Sequence, residues 1–471
     1  MPILKLGVPA ALVAISFLIS PARADLLWGA NGHPFTAYPG ITIQTQLDYL
    51  RDLGMRSYRV NITSLGHVPL LRELIRQGKA RGIDILPVIT PAHANLDHDS
   101  TEALYTKSFN LAVSLVSQFK NDVRVWELSN ELENYAIIKP CEMQDDGVQY
   151  NCAWGPAGGV GTLEYYGPRW VKVSAVLKGL SDGTISVDPT IRKAVGTAGW
   201  GHTGAFARMQ QDGIKWDISV WHMYGEDPEW AFKILAKFDR PIWITEFNAP
   251  SGSTAGGLQQ TQTLQWTMTR LRQLQAAYHI EAAHVYELMD EPYWAPSPEA
   301  VMGLVRIIRQ NTNGWQAAGP KPAYEIVKQL IHGEAVMPAI RRSCDLNTHV
   351  QMADVASMQI SYSYCLVVGR PADGGGLLGW ARSLQQGMTI SEMLVHMLDS
   401  DELKDKYALF GLNDAQFVAL MYRLLLDRDP DQGGLASYLA QLENGSATRP
   451  DVNRGIIDSD EFRSKHPILF Q

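Results

Sequence analysis

A (β/α)8, or TIM, barrel (class α/β) with a smaller C-terminal all-α repeat domain is the fold predicted for this chain, and three observations predict it. Short β-branched and aromatic runs alternate with amphipathic helical stretches from residue 25 to about 335. Several of those runs place a polar residue last, where a strand meets its loop. Beyond residue 335 the texture changes to short helices and Gly/Asp turns with an internal repeat. At 471 residues the chain exceeds what one hydrophobic core usually supports, so two domains are expected.

Taken in order, the first residues read as a secretory signal. Lys5 supplies the positive charge, residues 6–19 are mostly apolar, and Ala22-Arg-Ala24 is a small-x-small cleavage site. The apolar stretch is short for a membrane span. The mature chain is expected to begin at Asp25, soluble and secreted or periplasmic. Eight strand-like runs follow, at 26–31, 57–62, 83–90, 123–129, 193–198, 218–224, 242–247 and 282–286. Helical patterns lie between them at 43–53, 69–81, 103–120, 164–180 and 261–277. An open doubly wound sheet is the rival architecture, but the turn Trp28-Gly-Ala-Asn-Gly-His33 lacks its Gly-rich phosphate pattern.

The loop after the fourth run, 132–163, is long and Gly-rich and contains Cys141 and Cys152. In a barrel it lies on the C-terminal face, where a disulfide would stiffen one wall of a cleft. Cys344 and Cys365 bracket a second short segment. Local pairing is the simplest of the three connectivities, each bridge being worth about 2–4 kcal/mol. The cysteine spacings match no zinc pattern.

The barrel is assigned to 25–335 and the helical accessory domain to 336–471, with repeats at about 364–405 and 420–465. Arg370-Pro-Ala-Asp-Gly-Gly-Gly-Leu377 is echoed by Arg428-Asp-Pro-Asp-Gln-Gly-Gly-Leu435, and Ser400-Asp-Glu-Leu403 by Ser459-Asp-Glu-Phe462. This region resembles a bacterial extracellular repeat module of unknown function, most closely over residues 422–462. A calcium loop at Asp427-Arg-Asp429-Pro-Asp431 has the 1-3-5 spacing, but Gln432 and Tyr438 stand where glycine and glutamate are needed. A helix-capping turn accounts for it better.

The chemistry is expected at two carboxylates that end strand-like runs: Glu131 in Val125-Trp-Glu-Leu-Ser-Asn-Glu131 and Glu246 in Ile242-Trp-Ile-Thr-Glu246. Strand parity puts Arg59 with Asn61, His222 with Tyr224, and Ile242 and Ile244 with Glu246 on common faces. Trp126-Glu-Leu-Ser-Asn130-Glu131 resembles the fourth-strand acid/base motif of the large clan of retaining (β/α)8 glycosidases (cellulase-, mannanase- and xylosidase-like), and Trp243-Ile-Thr-Glu246-Phe its seventh-strand nucleophile motif. His222-Met-Tyr224 resembles the sixth-strand His-x-Tyr, and Arg59 sits where a second-strand arginine is expected. The match runs from Asp25 to about Leu330. Leu132 replaces the usual proline and Tyr286 a frequent tryptophan, which leaves the family and sugar open.

That resemblance implies a retaining β-glycoside hydrolase acting on a poly- or oligosaccharide without metal or cofactor. In such enzymes the carboxyls stand about 5–5.5 Å apart. Glu246 would be the ionised nucleophile, stabilised by Arg59 and Tyr224. Glu131 would begin protonated, and Asn130 would bind the sugar 2-hydroxyl. His222 and Trp294 complete the expected substrate contacts, with His33, His93 and Trp200 as further rim candidates. Glu127 is expected as a buried structural partner, and Glu133, Glu287 and Glu291 as loop or rim residues. The alternative from another class is a catalytically silent glycan-binding barrel that the repeats tether to the cell envelope. A net charge of −8 without a basic run argues against nucleic acid as a partner.

Overall fold

The protein is described here by a computed structural model covering residues 26–333 except 255, 312 and 313, residues 340 and 342–346, and residues 354–471 except 408, 410 and 411. The segment read as a signal peptide lies outside the described residues. Strands β1 (Leu27–Gly32), β2 (Ser57–Ile62), β3 (Asp84–Ile89), β4 (Val125–Leu128), β5 (Arg192–Thr197), β6 (Ile218–Met223), β7 (Ile242–Phe247) and β8 (Ile280–Val285) form a closed barrel in chain order. All neighbours are parallel, and β8 returns to pair with β1. Each expected strand forms, with bounds shifted by two residues at most.

Helices α1 (Ile43–Leu53), α2 (Val68–Lys79), α3 (Thr101–Phe119), α4 (Gly167–Val187), α5 (Gly204–Gln211), α6 (Glu229–Leu235), α7 (Gly257–Leu274) and α8 (Pro322–Ile331) alternate with the strands. Helix α1 shows why they form. The Thr42 side chain accepts from the Thr45 amide as an N-cap, Leu47, Leu50 and Leu53 are buried, and Gly54 ends the helix in a left-handed turn. Between β8 and α8 the chain inserts a hairpin that the sequence reading did not anticipate, β9 (Val305–Asn311) paired with antiparallel β10 (Gly314–Pro320). It has no place in a strict β/α alternation.

Two apolar layers organise the barrel. Leu86, Ala194, Ile218, Val220, Trp243 and Ala282 form a small cluster of their own, joined by Leu27 and Val125, which plugs the interior. Residues of opposite parity, such as Tyr58, Val60, Trp126, Trp221, Ile242 and Ile244, belong to the larger cluster shared with the helices.

This separation corrects the expected parity of β7. Trp221 of β6 pairs with Ile244 and His222 with Glu246, so Thr245 is an extra residue on β7. On the other side Ile244 pairs with Ala283 and Phe247 with Val285. Such a bulge lets two consecutive residues face one way. Ile242 and Ile244 therefore face the helices, while Thr245 and Glu246 both reach into the barrel.

Further along the chain come α9 (Val355–Ser363), α10 (Gly374–Gln385), α11 (Ile390–Leu398), α12 (Asp401–Lys406), α13 (Asp414–Leu426), α14 (Gln432–Glu443), α15 (Arg449–Ile457) and α16 (Asp460–Lys465), with an apolar cluster of their own. One set of contacts occurs here twice. Arg370 clasps Glu402 through two hydrogen bonds and lies over the Tyr364 ring. Arg428 does the same to Glu461 and Tyr422. Asp373 and Asp431 cap α10 and α14, and Lys406 and Lys465 donate to the Val368 and Leu426 carbonyls. In the acid-rich loop, Asp429 accepts from Arg423 and Asp431 is that cap, so two of its three acids have protein partners.

Gly199, just past β5, has φ +79°, and a Cβ there would meet the His222 carbonyl oxygen at 1.9 Å. Gly199→Ala is expected to destabilise the fold by about 2 kcal/mol, through overpacking and the left-handed backbone. Urea unfolding of the variant measures the loss.

Candidate active site

The site grows from the C-terminal ends of the strands, with Arg59 of β2 at its base. Arg59 is 3% exposed, and all five of its N–H groups are taken. Nε and Nη2 donate to the two Glu127 oxygens at 2.8 and 2.6 Å. Nη2 also reaches Asn130 Oδ1 at 2.6 Å. Nη1 donates to Asn31 Oδ1 and to Glu246 Oε1, both at 2.7 Å. Glu127 is thus the buried structural partner expected of it.

Glu246 is 6% exposed, and its second oxygen accepts from the Tyr224 hydroxyl at 2.7 Å. Burial alone would push this carboxyl up. The His222 and Arg59 charges and the hydrogen bonds from Tyr224 and Arg59 outweigh it and hold Glu246 below the usual carboxylate range.

Glu131 follows β4 through a backbone that is left-handed at Ser129 (φ 71°) and again at Glu131 (φ 46°). Its Oε1 lies 2.7 Å from His222 Nδ1. The other ring nitrogen lies 3.0 Å from Thr245 Oγ1, whose own proton points to Glu127 Oε1 at 3.4 Å. The threonine oxygen is therefore free to accept, and both ring nitrogens can donate, as an imidazolium requires. Burial opposes that charge, but Glu246 and the hydrogen bond to Glu131 raise the His222 pKa above its ordinary value. His222 Nδ1 also stands 3.5 Å from Glu246 Oε2. One oxygen of Glu131 and one of Glu246 lie within 4.8 Å of each other.

These groups open into a cleft of about 970 Å³, lined among others by Asn61, Asn130, Glu131, Trp200, Tyr224 and Glu246. Four glutamates line it, Glu226 and Glu299 being the others, and among the described residues no lysine or arginine does. The loop after β4, closed by the Cys141–Cys152 disulfide, contributes Gly158 to one wall. Cys344 and Cys365 are bonded as well.

Of the sequence-predicted residues, Arg59, Asn130, Glu131, His222, Tyr224 and Glu246 come together, and His33 and Trp200 join them at the rim. Trp294 does not. It lines an adjoining depression of about 530 Å³ with Tyr293 and Trp315, because the turn after β8 carries it past the cleft. His93 is exposed on the loop after β3, away from the cleft lining. Glu133, Glu287 and Glu291 are on loops but are buried rather than solvated, at 2%, 0% and 4% exposure. Glu133 is held by the Ala198 amide and His202, which ties the loop after β4 to the end of β5.

Sequence reasoning missed Asn31 and Thr245. Asn31 orients Arg59 and donates to the Thr245 carbonyl at 2.7 Å. As a polar residue closing a strand it carried the same signal as Asn61. Thr245 was hidden by the bulge.

A family model described as a domain of unknown function (DUF4214) matches residues 396–466. No curated protein matches the chain. Similar solved structures include a family 1 β-glucosidase from Thermotoga maritima, at 11% identity and a TM-score of 0.46. The Thermotoga maritima β-glucosidase in complex with azafagomine gives 12% and 0.46, and with cyclophellitol 13% and 0.47. Each covers 66% of this chain and 98% of its own. At that level of likeness they bear on no individual residue, and the site rests on its own geometry.

Two tests follow from the charges. Arg59→Met leaves Glu127 and Glu246 buried without their cation and is expected to cost about 3–5 kcal/mol in chemical unfolding. His222, with its raised folded pKa, contributes stability that is full below the ordinary imidazole value of about 6.5 and is lost as pH rises through the folded value. The stability margin of the native chain over His222→Gln, followed by urea melts across pH, is therefore expected to shrink on the alkaline side. A margin that grew with pH would contradict the assigned charge state.

Proposed function

We propose that the barrel is a retaining β-glycoside hydrolase acting on a poly- or oligosaccharide outside the cytoplasm. The observation that carries this reading is the approach of Glu131 and Glu246 to within 4.8 Å of each other across one cleft. A water-activating inverting pair needs about 6.5–9.5 Å, whereas direct attack by one carboxylate needs the closer spacing.

In this reading Glu246 attacks the anomeric carbon. The contacts from Arg59 and Tyr224 keep it ionised, which a nucleophile requires. Glu131 donates a proton to the departing oxygen. It begins hydrogen-bonded to His222, so the pair holds between them the proton that passes to the leaving group, and the water that later attacks supplies its replacement. Once Glu246 is esterified, Glu131 takes a proton from water and the ester is hydrolysed. Asn130, fixed by Arg59, is placed to meet the sugar hydroxyl next to the reacting carbon.

The acidic lining of the cleft disfavours polyuronates and favours neutral or amino-bearing sugars. Two disulfides suit an oxidising compartment, and among the described residues no helix is long and apolar enough to cross a membrane. With the barrel at 25–335 and the accessory domain at 336–471, the signal segment 1–24 delivers both.

Glu246→Ala and Glu131→Ala should each reduce hydrolysis by about three orders of magnitude or more, on the scale of losing a nucleophile or general acid. Azide should rescue both, with inverted product from Glu246→Ala and retained product from Glu131→Ala. Hydrolysis that survived both substitutions would refute the assignment and leave glycan binding as the role of the barrel. A polysaccharide panel should show turnover of neutral or amino-bearing glucans, mannans or xylans before polyuronates.

A further inference from the structure

The rim of the barrel holds a second converging set of ionisable side chains that the hydrolytic reading does not use. His33 follows β1, and Glu287 and Glu291 follow β8, the strand that pairs with it. His33 Nε2 lies 3.4 Å from Glu287 Oε2 and 3.9 Å from Glu291 Oε2. One ligand atom from each of the three lies within 4.8 Å of the others. Each carboxylate accepts from one tyrosine, Tyr38 for Glu287 at 3.0 Å and Tyr293 for Glu291. Among the described residues neither is within ion-pair distance of a lysine or arginine. Lys321, on the same side of the barrel, is committed to Asp290 at 2.5 Å.

What distinguishes this cluster is unmet demand. His33 Nε2 and Glu287 Oε1 are buried without a hydrogen-bond partner, and Glu287 is 0% exposed. A buried polar atom of this kind normally has a hydrogen-bond partner or a metal. Glu131, His222 and Glu246 are spaced just as closely, yet there both ring nitrogens and both Glu246 oxygens have protein partners. Close approach alone does not mark a cation site. Close approach with orphaned donor atoms does.

We propose that His33, Glu287 and Glu291 bind a divalent cation of the zinc or manganese type on the wall between the cleft and the adjoining depression. One imidazole and two carboxylates suit those ions, whereas calcium asks for six to eight oxygens. Ligand atoms about 2.0–2.2 Å from zinc stand at most about 4.4 Å apart, so the measured spacings need only small side-chain adjustments. Tyr38 and Tyr293 orient the carboxylates from outside the shell. Three protein ligands leave a coordination position for water or a ligand hydroxyl, and His33 lines both cavities. The site stands or falls independently of hydrolysis.

The test uses the full mature chain, stripped with a chelator and titrated calorimetrically with zinc chloride and separately with manganese chloride. One equivalent of at least one metal should bind, with mass spectrometry of the dialysed protein confirming the stoichiometry. His33→Ala and the isosteric Glu291→Gln should each weaken binding about ten-fold or more, the scale on which metal sites respond to lost partners. Glu131→Gln and Glu246→Gln should leave it unchanged. No binding by the native chain would overturn the proposal. So would binding that survives both His33→Ala and Glu291→Gln, or that disappears with Glu131→Gln or Glu246→Gln.

Discussion

One guanidinium holds the site together. Arg59 spends every donor it has on four side chains from three other elements: Asn31 of β1, Glu127 of β4, Asn130 just beyond it, and Glu246 of β7. A planar five-donor fork can do this where a lysine cannot. Two buried carboxylates share its charge, which lets Glu246 remain ionised while almost wholly removed from water. Arg59 in turn needs those carboxylates, because a buried cation without partners is no cheaper than a buried anion. The hub therefore fixes the relative positions of strands that are far apart in sequence, and the site inherits its rigidity.

The bulge in β7 is the second constraint. A regular strand could offer the barrel either Thr245 or Glu246, but not both. The extra residue lets Thr245 bridge His222 to Glu127 while Glu246 meets Arg59 and Tyr224. Below, the cluster around Trp243 and Val220 excludes water from the interior. Charges above that floor act through a medium of low polarisability, where each hydrogen bond counts for more than it would in solvent. His284, bonded to Ser57 within this layer, shows the effect: burial and the nearby Arg59 push its pKa down to about 3, so it stays neutral.

Much of this was legible in the sequence. Eight β-rich runs alternating with helices give the barrel because periods of two and 3.6 are printed in the apolar residues. Glu131, Glu246, Arg59, His222 and Tyr224 could be picked out because the order of their motifs along the strand-like runs resembles that of a known glycosidase clan; a polar residue at a strand end would not alone have marked them. The misses have physical causes. Parity reasoning assumes a regular strand, so the bulge misplaced Ile242 and Ile244 and concealed Thr245. Trp294 looked like part of the cleft because sequence carries no information on where a turn after β8 points. Glu133, Glu287 and Glu291 are legible as loop or rim residues but their burial is not, because burial of a carboxylate depends on partners, such as His202 and Tyr38, that are distant along the chain.

The apolar plug across the barrel floor also limits depth. With Leu86, Ala194, Ile218, Val220, Trp243 and Ala282 packed together in the interior, the polar side chains of the site are confined to the upper rim, where Trp200 and His33 line the cleft with Glu131 and Glu246. On the hydrolytic proposal, a change at those rim side chains that tightens capture would also lengthen residence of the product.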